Sequence, residues 1–193
     1  MDPERLREVV RSAQRGQSWA YQELLEAYGP RLYGYFIRAV GSHHDAEDLL
    51  SEMALRLVRR LKTYNERGKF EPWLFRIAAN LVRDRIRRLR ANPAAMSLSA
   101  EDEFGPTPGD VLPGREPGVD AAARAAEASR ELSAALGRLD EMTRQMVVLR
   151  HFGEMSFKEI AAVCSCPLGT VLARVHRGLR AMRRWMGGNN GTD

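Results

Sequence analysis

The sequence predicts an all-α chain of two small helical domains joined by a flexible acidic linker, and three observations carry that reading. Apolar residues recur at helical spacing over most of its 193 residues, and no run alternates as a strand would. Helix start and stop signals punctuate both ends of the chain. Between them, residues 92–120 hold five of the nine prolines and four glycines with no sustained apolar period, which reads as a tether. The boundaries follow: a domain over 1–91, the tether over 92–120, a second domain over 121–187 and a disordered tail over 188–193.

In the first domain a helix spans about Pro3–Arg15 and stops near Gly16. Ser18 can cap a second, which Gly29-Pro30 is expected to interrupt before it resumes to about Val40. A third covers His44–Lys62, with Ala46, Leu50, Met53, Leu57 and Leu61 as its core stripe. Its other face carries Asp45, Asp48, Glu52, Leu55, Arg56 and Arg59, with Leu49 at the boundary. An apolar Leu55 among charges suits a small protein-docking patch. A fourth helix runs from Pro72, well suited to a first helical position, to Arg90. Leu74, Ile77, Ala78, Leu81, Val82 and Leu89 share its apolar arc. Arg76, Asn80, Arg83 and Arg87, spaced four, three and four, line up opposite. Trp73 opens that face, preceded by the basic stretch Arg67-Gly68-Lys69. Cations along a helix with an aromatic ring and an amide suit a nucleic-acid strand whose bases can be stacked or flipped out.

In the second domain helices are expected over about Ala121–Arg138, Glu141–Phe152, Ser156–Val163 and Pro167–Met186. Ser156-Phe157-Lys158-Glu159 has the form of a capping box. The short helix it opens would bury Phe157, Ile160 and Ala161, and Cys164-Ser165-Cys166 makes a tight turn. On the last helix Leu168, Val171, Val175, Leu179 and Met182 form one face. Thr170, Arg174, Arg177 and Arg184 lie on the far side, with Arg180 at its edge. A short helix, a turn and a longer amphipathic helix with an arginine face is the helix-turn-helix layout, whose second helix enters the major groove of DNA. Arginine's planar fork suits guanine or phosphate.

Charge follows the same division. Residues 1–90 carry a net +6, residues 91–120 a net −5 and residues 121–193 a net +4, within a total of +5. Basic surfaces attract phosphate chains by releasing counterions. No stretch reaches the roughly 18 apolar residues of a membrane span, so no membrane insertion is expected. The charged start Met1-Asp2-Pro3-Glu4-Arg5 has no apolar signal core, and a cytoplasmic protein is expected. Cys164 and Cys166 are too close in sequence to form a disulfide framework, and a Cys-x-Cys pair without a matched second pair is weak evidence for zinc. No metal and no cofactor are expected. No phosphate-binding loop, His-Glu-x-x-His or Gly-x-Ser-x-Gly is present, so no enzyme is expected.

These features occur together, in this order, in one family. Asp45-Ala46-Glu47-Asp48-Leu49-Leu50-Ser51-Glu52, then Phe70-Glu71-Pro72-Trp73-Leu74-Phe75-Arg76-Ile77-Ala78-Ala79-Asn80 and Arg83-Asp84, resemble region 2 of the extracytoplasmic-function (ECF) sigma factors. Leu136-Gly137-Arg138-Leu139, Arg144, Leu149-Arg150, Phe157-Lys158-Glu159-Ile160-Ala161 and Cys166-Pro167-Leu168-Gly169-Thr170-Val171 resemble their region 4. The resemblance implies a non-catalytic bacterial transcription initiation subunit whose partners are core RNA polymerase and promoter DNA. By it, Asp45, Asp48, Leu49, Glu52 and Leu55 dock on the β′ clamp helices, and the β flap is a further contact. Lys69, Trp73, Arg76, Asn80, Arg83 and Arg87 melt and capture the −10 element. Thr170, Ala173, Arg174 and Arg177 read the −35 element. The acidic tether threads toward the RNA exit path, and an anti-sigma factor is a possible further partner. At 172–173 the chain has Leu-Ala where many members carry a basic and then a small polar residue, and Glu71 stands where a basic residue is common.

The contrasting reading is a free-standing helix-turn-helix repressor or activator, which would bind duplex DNA alone and usually as a dimer. A second basic helix and an acidic tether are features such a protein does not need.

Overall fold

The computed structural model describes residues 1–65, 69–91 and 119–187. Eight helices and no strand occur among them. They are α1 (Pro3–Gln14), α2 (Ser18–Val40), α3 (His43–Leu61), α4 (Phe70–Ala91), α5 (Val119–Gly137), α6 (Glu141–His151), α7 (Phe157–Cys164) and α8 (Leu168–Gly187). The tether expected over 92–120 lies outside the described residues up to 118, as do Arg67, Gly68 and the tail 188–193. From 119 onward the chain is already helical.

Local chemistry explains the starts. The Asp2 carboxylate accepts from the amides of Glu4 (3.1 Å) and Arg5 (3.2 Å), with Pro3 beginning α1. Ser42 accepts from the Asp45 amide at 3.2 Å and Asp140 from that of Thr143 at 3.1 Å. Ser18 does not cap α2. Gln17 holds that position without a side-chain bond, and Ser18 is the first helical residue.

The expected interruption at Gly29-Pro30 does not occur, for α2 runs unbroken through Pro30. Proline inside a helix costs about 3 kcal/mol or more, because a donor is lost and the ring crowds the preceding turn. Here Leu24, Tyr28, Leu32, Tyr35 and Phe36 are all buried on the two sides of Pro30. Each such side chain contributes about 1.5–3 kcal/mol on leaving water, so packing outweighs the local penalty. Similarly, α4 starts two residues before Pro72, with Phe70 buried against Tyr28 and Tyr64.

Helices α1–α4 form one bundle, with α3 seated against α1, α2 and α4. Its inward stripe is Ala46, Leu49, Met53, Leu57 and Leu61, so Leu49 rather than Leu50 is the fully buried residue. In the second bundle α8 packs across α5, α6 and α7. Gly178 marks a close approach of α8 to α6, since a Cβ there would stand 2.7 Å from Thr143 Cγ2 and 3.3 Å from Val147 Cγ2.

The two bundles share a continuous apolar core. Helix α6 lies on α2, and α6 and α7 lie on α4. Gln145 is buried at this junction and donates to the Ala79 carbonyl at 3.1 Å. Arg31 donates from Nε to the Phe152 carbonyl at 3.0 Å, and the Arg38 guanidinium lies 4.3 Å from the Phe152 ring centroid. Phe75 and Ala79, outside the apolar arc expected of α4, are buried beneath this contact.

Candidate nucleic-acid interface

The turn between α7 and α8 is built from its termini. The capping box is present in full: the Ser156 hydroxyl accepts from the Glu159 amide, and the Glu159 carboxylate accepts from the Ser156 amide at 2.9 Å. Burial opposes ionisation of Glu159. The Ser156 bonds, with Lys69 and Arg76 nearby, outweigh it and hold the carboxyl below its ordinary value. At the other end Ser165 takes the left-handed conformation (φ 51°), and the Cys166 amide reaches back to the Ala161 carbonyl at 3.1 Å. The Pro167 carbonyl then accepts from the Thr170 amide at 2.9 Å, launching α8.

Val171, Val175, Gly178 and Met182 are buried along one side of α8. Opposite them Thr170, Ala173, Arg177, Arg180 and Arg184 are exposed in one row, flanked by His176 and Arg183. Leu168, expected in the apolar face, is exposed. Arg174 stands apart from the row: its guanidinium donates to Asp140 Oδ1 at 2.8 Å and Thr143 Oγ1 at 3.1 Å. Burial raises the Asp140 carboxyl, but Thr143 and Arg174 outweigh it and hold it below the usual range. Arg174 is thus a strut between α8 and the start of α6, where the sequence suggested a free DNA contact.

On α4 and the residue before it, Lys69, Arg76 and Arg87 are exposed, whereas Trp73, Asn80 and Arg83 are half-buried. Trp73 belongs to an aromatic cluster, its ring centroid 4.5 Å from Tyr64 and 5.6 Å from Phe70. Arg83 donates to the Val163 carbonyl near the end of α7. Spacing on a single helix could not reveal that a second bundle lies over this face.

On α3 the five candidates separate. Asp45 and Leu49 are 2% exposed, and Asp45 is ion-paired with Arg85 of α4. This corrects their placement on a docking surface: both lie in the core, because α3 presses that edge into the bundle. Asp48, Glu52 and Leu55 remain outward, with Leu55 60% exposed. Val58, also exposed, adjoins Leu55 one turn on. Its i+3 spacing from Leu55, off the core stripe, was the available signal for it. The Asp48 carboxylate and His44 gather beside Asp45, but Arg85 already occupies the Asp45 carboxylate. Cys164 is buried and Cys166 half-buried, both free. Burial pushes the Cys164 thiol up to about 11.

An exposed arginine row on the second helix of a helix-turn-helix, with a second basic helix in a separate bundle, defines a two-part DNA-binding protein. Residues 24–92 match Sigma-70 region 2 and residues 129–182 match Sigma-70, region 4. The chain is similar to the RNA polymerase sigma factor CarQ of Myxococcus xanthus, 33% identical over 172 residues that cover 89% of this chain and 92% of CarQ. It is also similar to the ECF RNA polymerase sigma factor SigW of Bacillus subtilis, 28% identical over 184 residues, 93% of this chain and 95% of SigW. The chain belongs to the ECF RNA polymerase sigma factors of the sigma-70 family, and its function is promoter-specific transcription initiation. Two solved structures share its fold. One is the sigma factor RpoE of Bartonella quintana in complex with the anti-sigma factor NepR (TM-score 0.64, 21% identity, 86% of this chain and 96% of RpoE). The other is CnrH in complex with the cytosolic domain of CnrY (TM-score 0.59, 24% identity, 94% and 97%).

Proposed function

We propose that this sigma factor grips promoter DNA at two points while core polymerase sets the distance between them. The domain over 121–187 reads the −35 duplex with α8, through Thr170, Ala173 and Arg177, extended by Arg180 and Arg184. The domain over 1–91 melts and holds the −10 element with Lys69, Trp73, Arg76, Asn80, Arg83 and Arg87 of α4 and its approach. The observation that carries this reading is the exposed row on α8, set directly opposite the buried Val171–Val175–Gly178 stripe. A helix so packed can present one whole face to a major groove, and its cations supply phosphate attraction on approach.

Docking on the β′ clamp helices falls to Asp48, Glu52, Leu55 and Val58. An exposed apolar pair with carboxylates on its N-terminal side suits a partner surface that is apolar at its centre and basic at one edge. Arg174 acts behind the reader, fixing α8 on α6. The chain supplies specificity and not catalysis, so the polymerase performs the bond-forming chemistry. No described helix is long and apolar enough to cross a membrane. We assign the protein to the cytoplasm, where its polymerase and an anti-sigma partner would meet it.

The test is capture of core polymerase by the tagged chain, followed by run-off transcription from genomic fragments. The reading expects a promoter-specific transcript that depends on the chain. Tight binding to duplex DNA without polymerase, and no specific transcript with it, would favour a free-standing repressor.

A further inference from the structure

The leading end of α8 is short of the groups that hydrogen-bond to bases. From Leu168 to Ala173 the side chains are those of Leu, Gly, Thr, Val, Leu and Ala, so Thr170 carries the only polar one. Val171 is buried and Leu172 half-buried, while Leu168, Gly169, Thr170 and Ala173 are exposed. The next residue, Arg174, is held by Asp140 and Thr143. Arg177, the first exposed cation on α8, lies about 13 Å along the axis from Leu168 at 1.5 Å per residue. Yet a recognition helix sets its N-terminal residues against base edges.

We propose that this end of α8 reads thymine through its C5-methyl group, with Leu168, Leu172 and Ala173 making the contact. The proposal rests on the assignment of α8 to the −35 duplex and adds a base preference to it. In the major groove guanine, adenine and cytosine present hydrogen-bonding groups alone, matched by arginine or lysine, by asparagine or glutamine, and by carboxylates. Thymine adds a methyl group. An apolar surface pressed on a hydrogen-bonding edge strips it of water and returns no bond. Pressed on a methyl group, the same surface gains from burial.

Placement agrees with that chemistry. Leu168 and Leu172 stand one turn apart, as do Gly169 and Ala173, so an apolar row and a row of small residues lie side by side at the start of the helix. Leu168 is a large apolar side chain left in solvent, on a first turn fixed by the Pro167 carbonyl, which accepts from the amides of Thr170 (2.9 Å) and Val171 (3.2 Å). The fold itself gives no reason for Gly169. Beyond its own turn of helix, a Cβ there would meet no atom of the chain within 4 Å. A bare backbone at that point lets the first turn seat close to the base edges, which brings both leucines within reach of them.

The experiment measures binding of the reconstituted holoenzyme to the promoter that yields the run-off transcript. Each thymine of the upstream element, on either strand, is replaced singly by deoxyuridine, which removes one methyl group and keeps every hydrogen-bonding group. At one or two positions affinity should fall about fourfold, the contribution of one buried methyl group. With Leu168→Ala or Leu172→Ala, thymine and deoxyuridine should be bound equally well at such a position. Arg177→Ala should weaken every duplex alike and keep the discrimination. Gly169→Leu should keep the parent's thermal unfolding midpoint and bind the promoter at least about tenfold more weakly, because its side chain clashes only with DNA. Indifference to deoxyuridine at every upstream position, with Arg177→Ala still weakening binding, would overturn the thymine contact and leave α8 as the reader. Indifference to both would overturn the assignment of α8 to the −35 element as well. Discrimination that survives in full in both folded leucine variants would overturn the residues assigned to it, and a Gly169→Leu holoenzyme that binds as the parent does would overturn the close seating of the first turn.

Discussion

Gly178→Ala tests whether the upstream reader is held where the geometry places it. A Cβ at 178 would stand 2.7 Å from Thr143 Cγ2, about 0.7 Å inside ordinary contact, and 3.3 Å from Val147 Cγ2. Thr143 cannot turn away freely, because its hydroxyl donates to Asp140 Oδ2 at 2.7 Å and accepts from Arg174 at 3.1 Å. Overpacking of this kind costs about 1–3 kcal/mol, and ending those bonds about 1 kcal/mol each. Alanine's better helix propensity returns about 1 kcal/mol. The net expectation is a loss of about 2–4 kcal/mol, which is on the order of ten degrees in the unfolding midpoint of a small domain. Thermal unfolding of the full chain followed by far-ultraviolet circular dichroism measures it. Thr143→Ser removes the obstructing methyl and keeps the hydroxyl, so it should rescue Gly178→Ala with a favourable coupling of about 1 kcal/mol or more. A Gly178→Ala chain as stable as the parent, or effects that simply add, would refute the close approach of α8 to α6.

Arg177→Ala should weaken promoter binding by the roughly 1–3 kcal/mol of one arginine contact. If that contact is to phosphate, the salt dependence should also fall by about one ion, as measured by holoenzyme titration at several salt concentrations. Asp45→Ala should destabilise the first bundle by about 1–3 kcal/mol by leaving Arg85 unpartnered, while the folded protein keeps its affinity for core polymerase. Leu55→Asp should do the reverse, keeping the melting temperature and losing capture of polymerase. The Asp140 and Glu159 carboxyls are held below their ordinary values, so they contribute stability above about pH 4 that disappears as pH falls through their folded-state values. Urea midpoints measured from pH 6 downward should therefore fall less steeply for Asp140→Asn than for the parent. An equal slope would show that the Thr143 and Arg174 bonds do not stabilise the charged form.

Local patterns were legible where one short segment carries its own reason. Ser156 and Glu159 announced the start of α7, and the 3.6-residue period of Val171, Val175 and Met182 announced which side of α8 packs. Where tertiary contacts decide, the sequence was silent. Nothing adjacent to Pro30 says that buried residues on both sides will carry a helix through it. Asp45 reads as a surface charge until Arg85, forty residues away, is found beside it. Arg174 falls close to the row of Arg177 on a helical wheel, and only the approach of α6 separates the strut from the reader. Arg83 shows the same limit most clearly, because the Val163 carbonyl it meets lies on the far side of the acidic segment.

The central claim is a division of labour between α8 upstream and α4 downstream, and footprinting of the reconstituted holoenzyme on one promoter addresses it most directly. Nuclease protection reports the −35 duplex, and permanganate reactivity of thymines reports melting at −10. Asn80→Ala should keep upstream protection at every concentration while permanganate reactivity stays low. Arg177→Ala should lose upstream protection first and recover permanganate reactivity as holoenzyme is raised. If both substitutions removed protection and melting together in the same proportion, the two helices would not be separate readers and the account would fail.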